Sequence, residues 1–189
     1  MDVPAFTAEG VLPAGDYLLS LDELKQSKLV LGPGSPKDHP TWDAAWRLKL
    51  VQNLEIMAVQ LFSVGVSEIY INGSFVEHKD HPNDIDGYFP VDLMKLATGD
   101  LTRALNLLDP YKIWTWEPAS RSPYRGYPKK QLPMWHQYRV ELYPHCGLPS
   151  GIKDLSGNDL EFPAAFRQRR TDGLSKGIVR IGDAKHDPQ

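Results

Sequence analysis

Two aspartates separated by one residue offer the clearest chemistry in this sequence. Asp84 and Asp86 lie in DIDGYFPV (84–91), whose composition predicts a β-strand. Residues i and i+2 of a strand point to the same face, so the two carboxylates are expected side by side. Like charges at that spacing repel one another unless a cation lies between them. Hard oxygen ligands of this kind suit Mg²⁺ or Mn²⁺, and the alternative is a solvated acidic pair at a loop edge.

A glycine and a serine end the preceding predicted strand, SEIYINGS (67–74). Gly73 lets a ligand approach the backbone closely, and the Ser74 hydroxyl is able to donate to a phosphate oxygen. Beside an acidic pair, this combination indicates a site for a metal-bound nucleoside triphosphate. Ser74 is otherwise a turn residue after a strand. Lys176, beside Gly177, is a further candidate contact for the triphosphate, with a surface tail as its alternative.

A third carboxylate is expected from the predicted strand QYRVELYP (137–144). Alternation places Glu141 on one face of this strand, together with Arg139 and Tyr143. A charged side chain in the middle of a strand is unfavourable unless it is paired. Phosphoryl-transfer sites with two metals generally need such a further carboxylate, which makes Glu141 the candidate third metal ligand. The alternative is a cross-strand ion pair with a basic residue.

The order of these features resembles the nucleotidyltransferase superfamily typified by DNA polymerase beta. The shared pattern is a strand, Gly-Ser, a short loop, Asp-x-Asp and a later acidic strand residue. Three segments are similar to a poorly characterised bacterial and phage family of that superfamily, related to toxin–antitoxin nucleotidyltransferases. They are LPAGDYLLSLDEL (12–24), NGSFVEHKDHPNDIDGYF (72–89) and SKGIVRI (175–181). The resemblance implies an α/β (α+β) fold, with a small mixed β-sheet and helices packed on one face.

The resemblance also implies an activity, the transfer of a nucleoside monophosphate from a nucleoside triphosphate to an acceptor with release of pyrophosphate. Its implied metal ligands for Mg²⁺ or Mn²⁺ are Asp84, Asp86 and Glu141, and its implied triphosphate contacts are Gly73 and Ser74. The sequence departs from the family pattern at Gly87, which replaces an apolar strand residue and is expected to loosen the strand. It departs again where Glu141 replaces the commoner aspartate. A non-catalytic nucleotidyltransferase-fold module, acting as an antitoxin or regulator, is the alternative function.

The acceptor is open between an RNA end, a protein hydroxyl and a small molecule, and a partner protein could contribute to its recognition. The stretch 119–139 has no acidic residue and interleaves aromatic residues with five cations: Arg121, Arg125, Lys129, Lys130 and Arg139. Basic and aromatic residues together suit phosphate contact and base stacking. The alternative is a solvated loop whose aromatic residues pack into the core. His78 and His81 near the aspartates are interpreted as solvated loop residues rather than zinc ligands.

Hydrophobic periodicity predicts the elements that must position these residues. One helix is expected over 41–64 with Thr41 as its cap, and another over 93–108 with Asp92 as its cap and a weak point at Gly99. Ser20 and Glu23 have capping-box spacing before a further helical segment. The remaining expectations are strands at 111–118 and 177–181 and a short helix over 164–170.

Composition narrows the class of protein. The 21 basic and 24 acidic residues give a net charge of −3, which excludes a strongly basic nucleic-acid coat but not a local basic patch. A single cysteine, Cys146, excludes an internal disulfide. Neither a signal peptide nor a membrane span is evident, so a cytoplasmic protein is expected. The expected organisation is an N-terminal arm and linker (1–40), a nucleotidyltransferase-like core (41–150) and a C-terminal extension of the same domain (151–189).

Overall fold

The structure, a computed structural model, describes residues 3–182. Its strands are β1 (Asp16–Leu19), β2 (Glu68–Asn72), β3 (Ile85–Pro90), β4 (Val140–His145), β5 (Pro149–Lys153), β6 (Asp159–Glu161) and β7 (Ile178–Gly182). Its helices are α1 (Leu21–Gln26), α2 (Lys28–Leu31), α3 (Ala44–Ser63), α4 (Leu93–Ala97), α5 (Asp100–Leu108), α6 (Pro133–Tyr138) and α7 (Phe162–Ala165). Short 3₁₀ helices cover Gly73–Val76 and Pro118–Ser120.

Five of the strands within the described residues form one mixed sheet, in the order β1-β7-β2-β3-β4. β2 runs antiparallel to both of its neighbours, whereas the pairs β1–β7 and β3–β4 are parallel. β5 and β6 form a separate antiparallel pair. This confirms the predicted α+β class and the small mixed sheet.

The two faces of the five-stranded sheet differ in character because strand side chains alternate between them. One face is apolar and is buried in the main core against the helices; its residues include Ile69, Ile71, Ile85, Val140, Leu142 and Val179. The opposite face carries the polar and aromatic residues Tyr70, Asn72, Asp86, Tyr88, Glu141 and Tyr143. Phe162, the first residue of α7, stacks on Tyr143 of that second face with ring centroids 5.2 Å apart.

Helix α3 confirms the strongest helix prediction. Its predicted apolar stripe is buried at Leu50, Leu54, Met57 and Leu61. The cap prediction was wrong by two residues, because the side chain of Asp43, not that of Thr41, accepts a hydrogen bond from the backbone of Trp46. The cap at Asp92 and the interruption of the second predicted helix at Gly99 are confirmed, since α4 and α5 meet there.

Three predicted elements differ from the structure. Residues 111–118 form no strand, because the side chain of Asn106 bonds both the N–H and the carbonyl of Trp114 and so replaces a neighbouring strand. The predicted strand 137–144 begins only at Val140, after helix α6, and Arg139 between them adopts a φ of 55°. Helix α7 begins two residues before the predicted 164–170 and ends within it at Ala165, while the predicted strand 177–181 is present as β7.

The described part of the expected N-terminal arm takes part in the main sheet. β1 pairs in parallel with β7, and Leu24 and Leu29 of the following helices are fully buried. The capping box of Ser20 and Glu23 is present at α1. The described part of the C-terminal extension supplies β7, which lies between β1 and β2. No helix within residues 3–182 has both the length and the apolar character needed to cross a bilayer.

Candidate functional site

The residues predicted to do chemistry meet on the polar face of the sheet. Asp86 on β3 is the register partner of Asn72 on β2 and of Glu141 on β4, which places the three residues in one row. Asp84 lies just before β3, two residues from Asp86 and therefore toward the same face. Gly73 follows Asn72 directly, so the Gly-Ser turn begins at the end of this row.

Two cavities that share residues open beside the row. The first, here called the carboxylate cavity, has a volume of about 550 Å³, and its lining includes Asp84, Asp86, Glu141, Arg121, Lys129 and Lys130. The second, the Gly-Ser cavity, has a volume of about 310 Å³, and its lining includes Gly73, Ser74, Asp86, Arg169, Arg170 and Lys176. Asp86 and Arg170 line both cavities. The predicted metal ligands and the predicted triphosphate contacts therefore border two adjoining cavities.

The two aspartates lie in an unfavourable electrostatic environment. Burial raises the pKa of Asp86 to about 7, and the negative charges of Asp84 and Glu141 add to the effect. Burial also raises the pKa of Asp84, although a hydrogen bond from Trp135 Nε1 at 2.7 Å opposes the shift. Within residues 3–182, Asp86 accepts no hydrogen bond and forms no ion pair. A bound cation would stabilise an anionic group in this position.

Glu141 lies opposite Asp86, yet both of its oxygens have protein donors. Oε1 accepts a hydrogen bond from the backbone N–H of Leu132 at 3.1 Å and lies 3.5 Å from Nη1 of Arg121. Oε2 accepts from the hydroxyl of Tyr143, to which Arg121 also donates at 3.1 Å. Glu141 is only 5% exposed. Glu141 thus has an ionic partner, although Arg121 lies on a loop and not on a neighbouring strand, and its role as a metal ligand stays a prediction.

The donor chemistry fits a divalent cation at Asp84 and Asp86. Mg²⁺ is usually held by one or two carboxylates and completes its shell with water and substrate phosphates. The two aspartates offer oxygen ligands whose negative charges disfavour one another. Across the described chain, no three His, Cys, Asp or Glu side chains are grouped so that they could hold a metal ion. Glu141 thus adds negative charge nearby while its oxygens stay with Arg121 and Tyr143.

Two glycines set the close packing around Asp86. Gly73 has a φ of 71°, and a Cβ there would lie 2.7 Å from Oδ2 of Asp86. A Cβ at Gly87 would lie 2.5 Å from the carbonyl oxygen of Tyr70 and 2.8 Å from the side chain of Leu142. An apolar side chain at position 87 does not fit, so this glycine lets the strands pack closely rather than loosening them.

Lys176 lies beneath the Gly-Ser turn. Its ammonium donates to the carbonyl of Gly73 at 3.0 Å and to Oε1 of Glu77 at 2.5 Å. The residue is 4% exposed, and burial lowers the pKa of its ammonium. The predicted triphosphate contact is therefore already paired and braces the turn. By contrast, the Ser74 hydroxyl has no hydrogen-bond partner in the described residues and lines the Gly-Ser cavity.

The basic and aromatic stretch 119–139 separates into two layers. The Arg139 guanidinium lies 3.8 Å from the ring centroid of Trp135 and 4.3 Å from that of Tyr124. Trp135 is fully buried, and its ring also packs against that of Tyr127. Three cations of the stretch instead line the carboxylate cavity; they are Arg121, Lys129 and Lys130. The packed-loop alternative thus describes Trp135 but not Tyr124, which is 40% exposed, while three of the cations line the carboxylate cavity.

The histidines beside the aspartates have aromatic and acidic partners. His81 stacks on Trp46 with centroids 5.1 Å apart, and its Nδ1 lies 2.9 Å from a carboxylate oxygen of Asp43. His78 stacks on Phe6 with centroids 5.5 Å apart. These contacts hold the loop before β3 against α3 and the N-terminal segment.

Arg47 on α3 positions the site, and sequence reasoning missed it. This side chain is fully buried, and burial lowers its pKa to about 9. Its guanidinium donates at 2.6–3.1 Å to the backbone carbonyls of Leu29, Phe75, Glu77 and Lys79. Three of these carbonyls belong to the segment between the Gly-Ser turn and Asp84. Arg47 therefore fixes the backbone conformation of that segment. The available signal was a charged residue three positions before Leu50 of the apolar stripe.

Comparison with known proteins identifies the family. The chain matches the model of DUF6932, described as a family of unknown function, over residues 4–182. The match covers nearly the whole chain, which therefore belongs to this family. No curated protein matches the chain, and no solved structure matches it.

Proposed function

We propose that this member of the DUF6932 family is a metal-dependent nucleotidyltransferase. It would move a nucleoside monophosphate from a nucleoside triphosphate to an acceptor hydroxyl and release pyrophosphate. The main support is the repelling pair of Asp84 and Asp86, placed beside the turn of Gly73 and Ser74. The acceptor would be an RNA end, a small molecule or a protein hydroxyl, including one of a partner protein.

Each side of the site has a distinct role in this proposal. Asp84 and Asp86 would hold Mg²⁺ or Mn²⁺, which when bound would neutralise charge developing on the phosphates. Ser74 would donate its hydroxyl to a phosphate oxygen in the Gly-Ser cavity. Lys176 would supply positive charge beneath the triphosphate while it keeps the Gly73 carbonyl in place.

The transfer step would take place at the carboxylate cavity. The acceptor oxygen forms a bond to the α-phosphorus, the bond between that phosphorus and the pyrophosphate leaving group breaks, and the acceptor proton moves to the Glu141 carboxylate. Leu132 and Arg121 hold this carboxylate, so its orientation is set before the acceptor arrives. A preset orientation favours the step because little reorganisation is needed.

The first experiment tests the cation site by thermal unfolding. Mn²⁺ or Mg²⁺ together with a nucleoside triphosphate should raise the melting temperature, since ligands that bind the folded state stabilise it. Asp86→Asn should abolish this shift, whereas Asp22→Asn, which changes an exposed aspartate on α1, should keep it. A full shift in Asp86→Asn would remove these aspartates from consideration.

The second experiment tests turnover directly. Each nucleoside triphosphate, labelled at its α-phosphate, is incubated with Mg²⁺ or Mn²⁺ and with RNA or protein acceptors. Transfer of label that depends on both the metal and Asp86 is the expected result. Binding of metal and nucleotide without any transfer would contradict the enzymatic proposal.

One observation favours a second function, the non-catalytic binding module. Glu141 is occupied by Arg121 and Tyr143, and in the described residues no three-residue metal group is present. A module of this kind would bind nucleotide through the Gly-Ser cavity and release it unchanged. The labelling experiment separates the two functions, because only the enzyme transfers the α-phosphate.

A further inference from the structure

Four cations in or beside the carboxylate cavity form no ion pair within the described residues, although the charge of Arg170 opposes the rise in the pKa of Asp86. Arg125, Lys129, Lys130 and Arg170 are exposed, and none of them forms an ion pair within residues 3–182. The last three line the cavity itself. Neighbouring cations of the C-terminal segment are neutralised instead, since Arg167 pairs with Asp16 and Arg169 with Asp172. The carboxylate cavity thus brings Lys129, Lys130 and Arg170 together beside the three carboxylates, with Arg125 just outside its lining.

The loop that carries most of this charge has a defined shape. Ser122 and Gln131 exchange two backbone hydrogen bonds of 2.9 and 2.8 Å, which close residues 122–131 into an arch. Arg121, at the base of the arch, is paired with Glu141 and donates to the carbonyl of Lys130 at 3.2 Å. The arch is thus anchored on the row of carboxylates that forms the candidate site.

The packing of the aromatic residues indicates which part of a ligand the arch would contact. Trp135 is fully buried, and Arg139 covers both Trp135 and Tyr124. Trp135 therefore offers no surface for stacking bases. Tyr124 is 40% exposed, but Arg139 lies 4.3 Å from its ring centroid, so the cations are the main recognition elements. Arg125 lies outside the cavity lining and Lys129 within it. The cations therefore cover a longer surface than one bound phosphate would occupy. An extended row of cations suits a chain of phosphates.

We propose that residues 121–131 and Arg170 bind the phosphodiester backbone of a single-stranded nucleic acid. The strand would lie along the arch, and its terminal hydroxyl would enter the carboxylate cavity as the acceptor. Binding of the strand stands on the charge arrangement alone, while its role as acceptor rests on the proposed function. Backbone contacts carry no base information, so binding is expected to be tolerant of sequence.

The test measures how salt weakens binding of labelled oligonucleotides. Fluorescein-labelled single-stranded RNA and DNA of roughly 12 nucleotides are titrated with the full chain, and anisotropy gives Kd at several salt concentrations. Replacing Arg125, Lys129 and Lys130 together by Ala should reduce the slope of log affinity against log salt by about 2 units, at roughly 0.7 per lost contact. Comparison of RNA with DNA shows whether the 2′-hydroxyl contributes.

A matched triple variant controls for overall charge. Lys37, Lys49 and Lys95 are exposed, form no ion pair within the described chain and lie outside both cavities, so their replacement by Ala removes the same charge elsewhere. The control should keep the wild-type slope. An equal reduction in both triple variants, or no detectable binding of either strand by the wild type, overturns the proposal. In the latter case a protein or small-molecule acceptor becomes the better interpretation.

The metal-dependent melting shift separates this proposal from the proposed function. The arch variant should keep the shift with Mn²⁺ and nucleoside triphosphate, because the aspartates are unchanged. Strand binding with the expected salt slope but without a metal-dependent shift would support the binding surface and contradict the nucleotidyltransferase. A normal metal-dependent shift without strand binding would support the nucleotide and metal site and contradict the strand-binding surface.

Discussion

Asp86 and Glu141 are register partners on adjacent strands, yet their surroundings differ sharply. Asp86 has no hydrogen-bond donor within residues 3–182, and burial raises its pKa to about 7. Glu141 receives donors from Leu132, Arg121 and Tyr143. A carboxylate thus lacks protein donors on β3 but is hydrogen-bonded through both of its oxygens on β4. The difference leaves Asp86 without a protein donor, whereas Glu141 also holds the base of the arch through Arg121.

The largest expected effect is on turnover. Asp86→Asn removes one negative ligand of the proposed cation and should lower the rate of α-phosphate transfer by about 10²–10³-fold or more, as the loss of a key electrostatic group does. Initial rates with labelled nucleoside triphosphate measure this, and Asp22→Asn is the control. A rate equal to that of the wild type would show that the Asp86 carboxylate is not needed for turnover.

The second effect concerns the anchored carboxylate. Glu141→Gln removes the charge opposite Arg121 and should lower the free energy of unfolding by about 1–3 kcal/mol. Turnover should fall as well, while the metal-dependent melting shift should remain, because Asp84 and Asp86 are intact. Urea denaturation and thermal unfolding measure the two quantities. Loss of the shift with unchanged stability would make Glu141 a metal ligand and not an anchor.

The third effect is a gain of stability that depends on pH. The Asp86 pKa is raised from 3.8 to about 7, so between these values the folded protein binds a proton that the unfolded chain has released. The contribution of this group to stability therefore falls as pH rises through that window and stays lost above it. In the absence of metal, Asp86→Asn should be more stable than the wild type by about 1–3 kcal/mol at a pH of about 8.

Denaturant titrations at two pH values measure this gain. Near a pH of about 4, the Asp86 carboxyl of the wild type is protonated in the folded state, so the two proteins should have similar free energies of unfolding. A stability difference that is the same at both pH values would show that burial of charge is not its cause.

The smallest effect isolates the contact between the Gly-Ser turn and Asp86. Gly73 and Gly126 both have positive φ values, 71° and 84°, but only a Cβ at Gly73 would meet a neighbour, Oδ2 of Asp86 at 2.7 Å. Alanine at either position strains the backbone, by about 1–2 kcal/mol. Gly73→Ala should be about 1 kcal/mol worse than Gly126→Ala, since a side chain must also shift. Equal losses of stability would mean that Asp86 moves aside freely.

Strand alternation was sufficient to predict that Asp86 shares a face with Asp84 and that Glu141 shares a face with Tyr143, because side-chain direction in a strand is a local property. The expectation that Asp86 and Glu141 meet in one site came from the needs of a two-metal site, not from alternation. Their different surroundings could not be predicted, because two of the three donors of Glu141, Arg121 and Leu132, flank the 122–131 arch before α6. The sequence predicted neither α6 nor the anchoring of that arch. Arg47 was missed for the same reason, since its four carbonyl partners lie on other segments of the chain.

The sequence by itself determined α3, β2, β3 and β7, because hydrophobic periodicity and turn residues act over neighbouring positions. Only the tertiary structure decided that β7 lies between β1 and β2, which brings Lys176 to the carbonyl of Gly73 across 103 residues. The pairing of distant strands depends on which arrangement buries the apolar face of the whole sheet beneath the helices. On the opposite face α7 covers Tyr88 and Tyr143, while the carboxylates and the neighbouring cations line a single cavity.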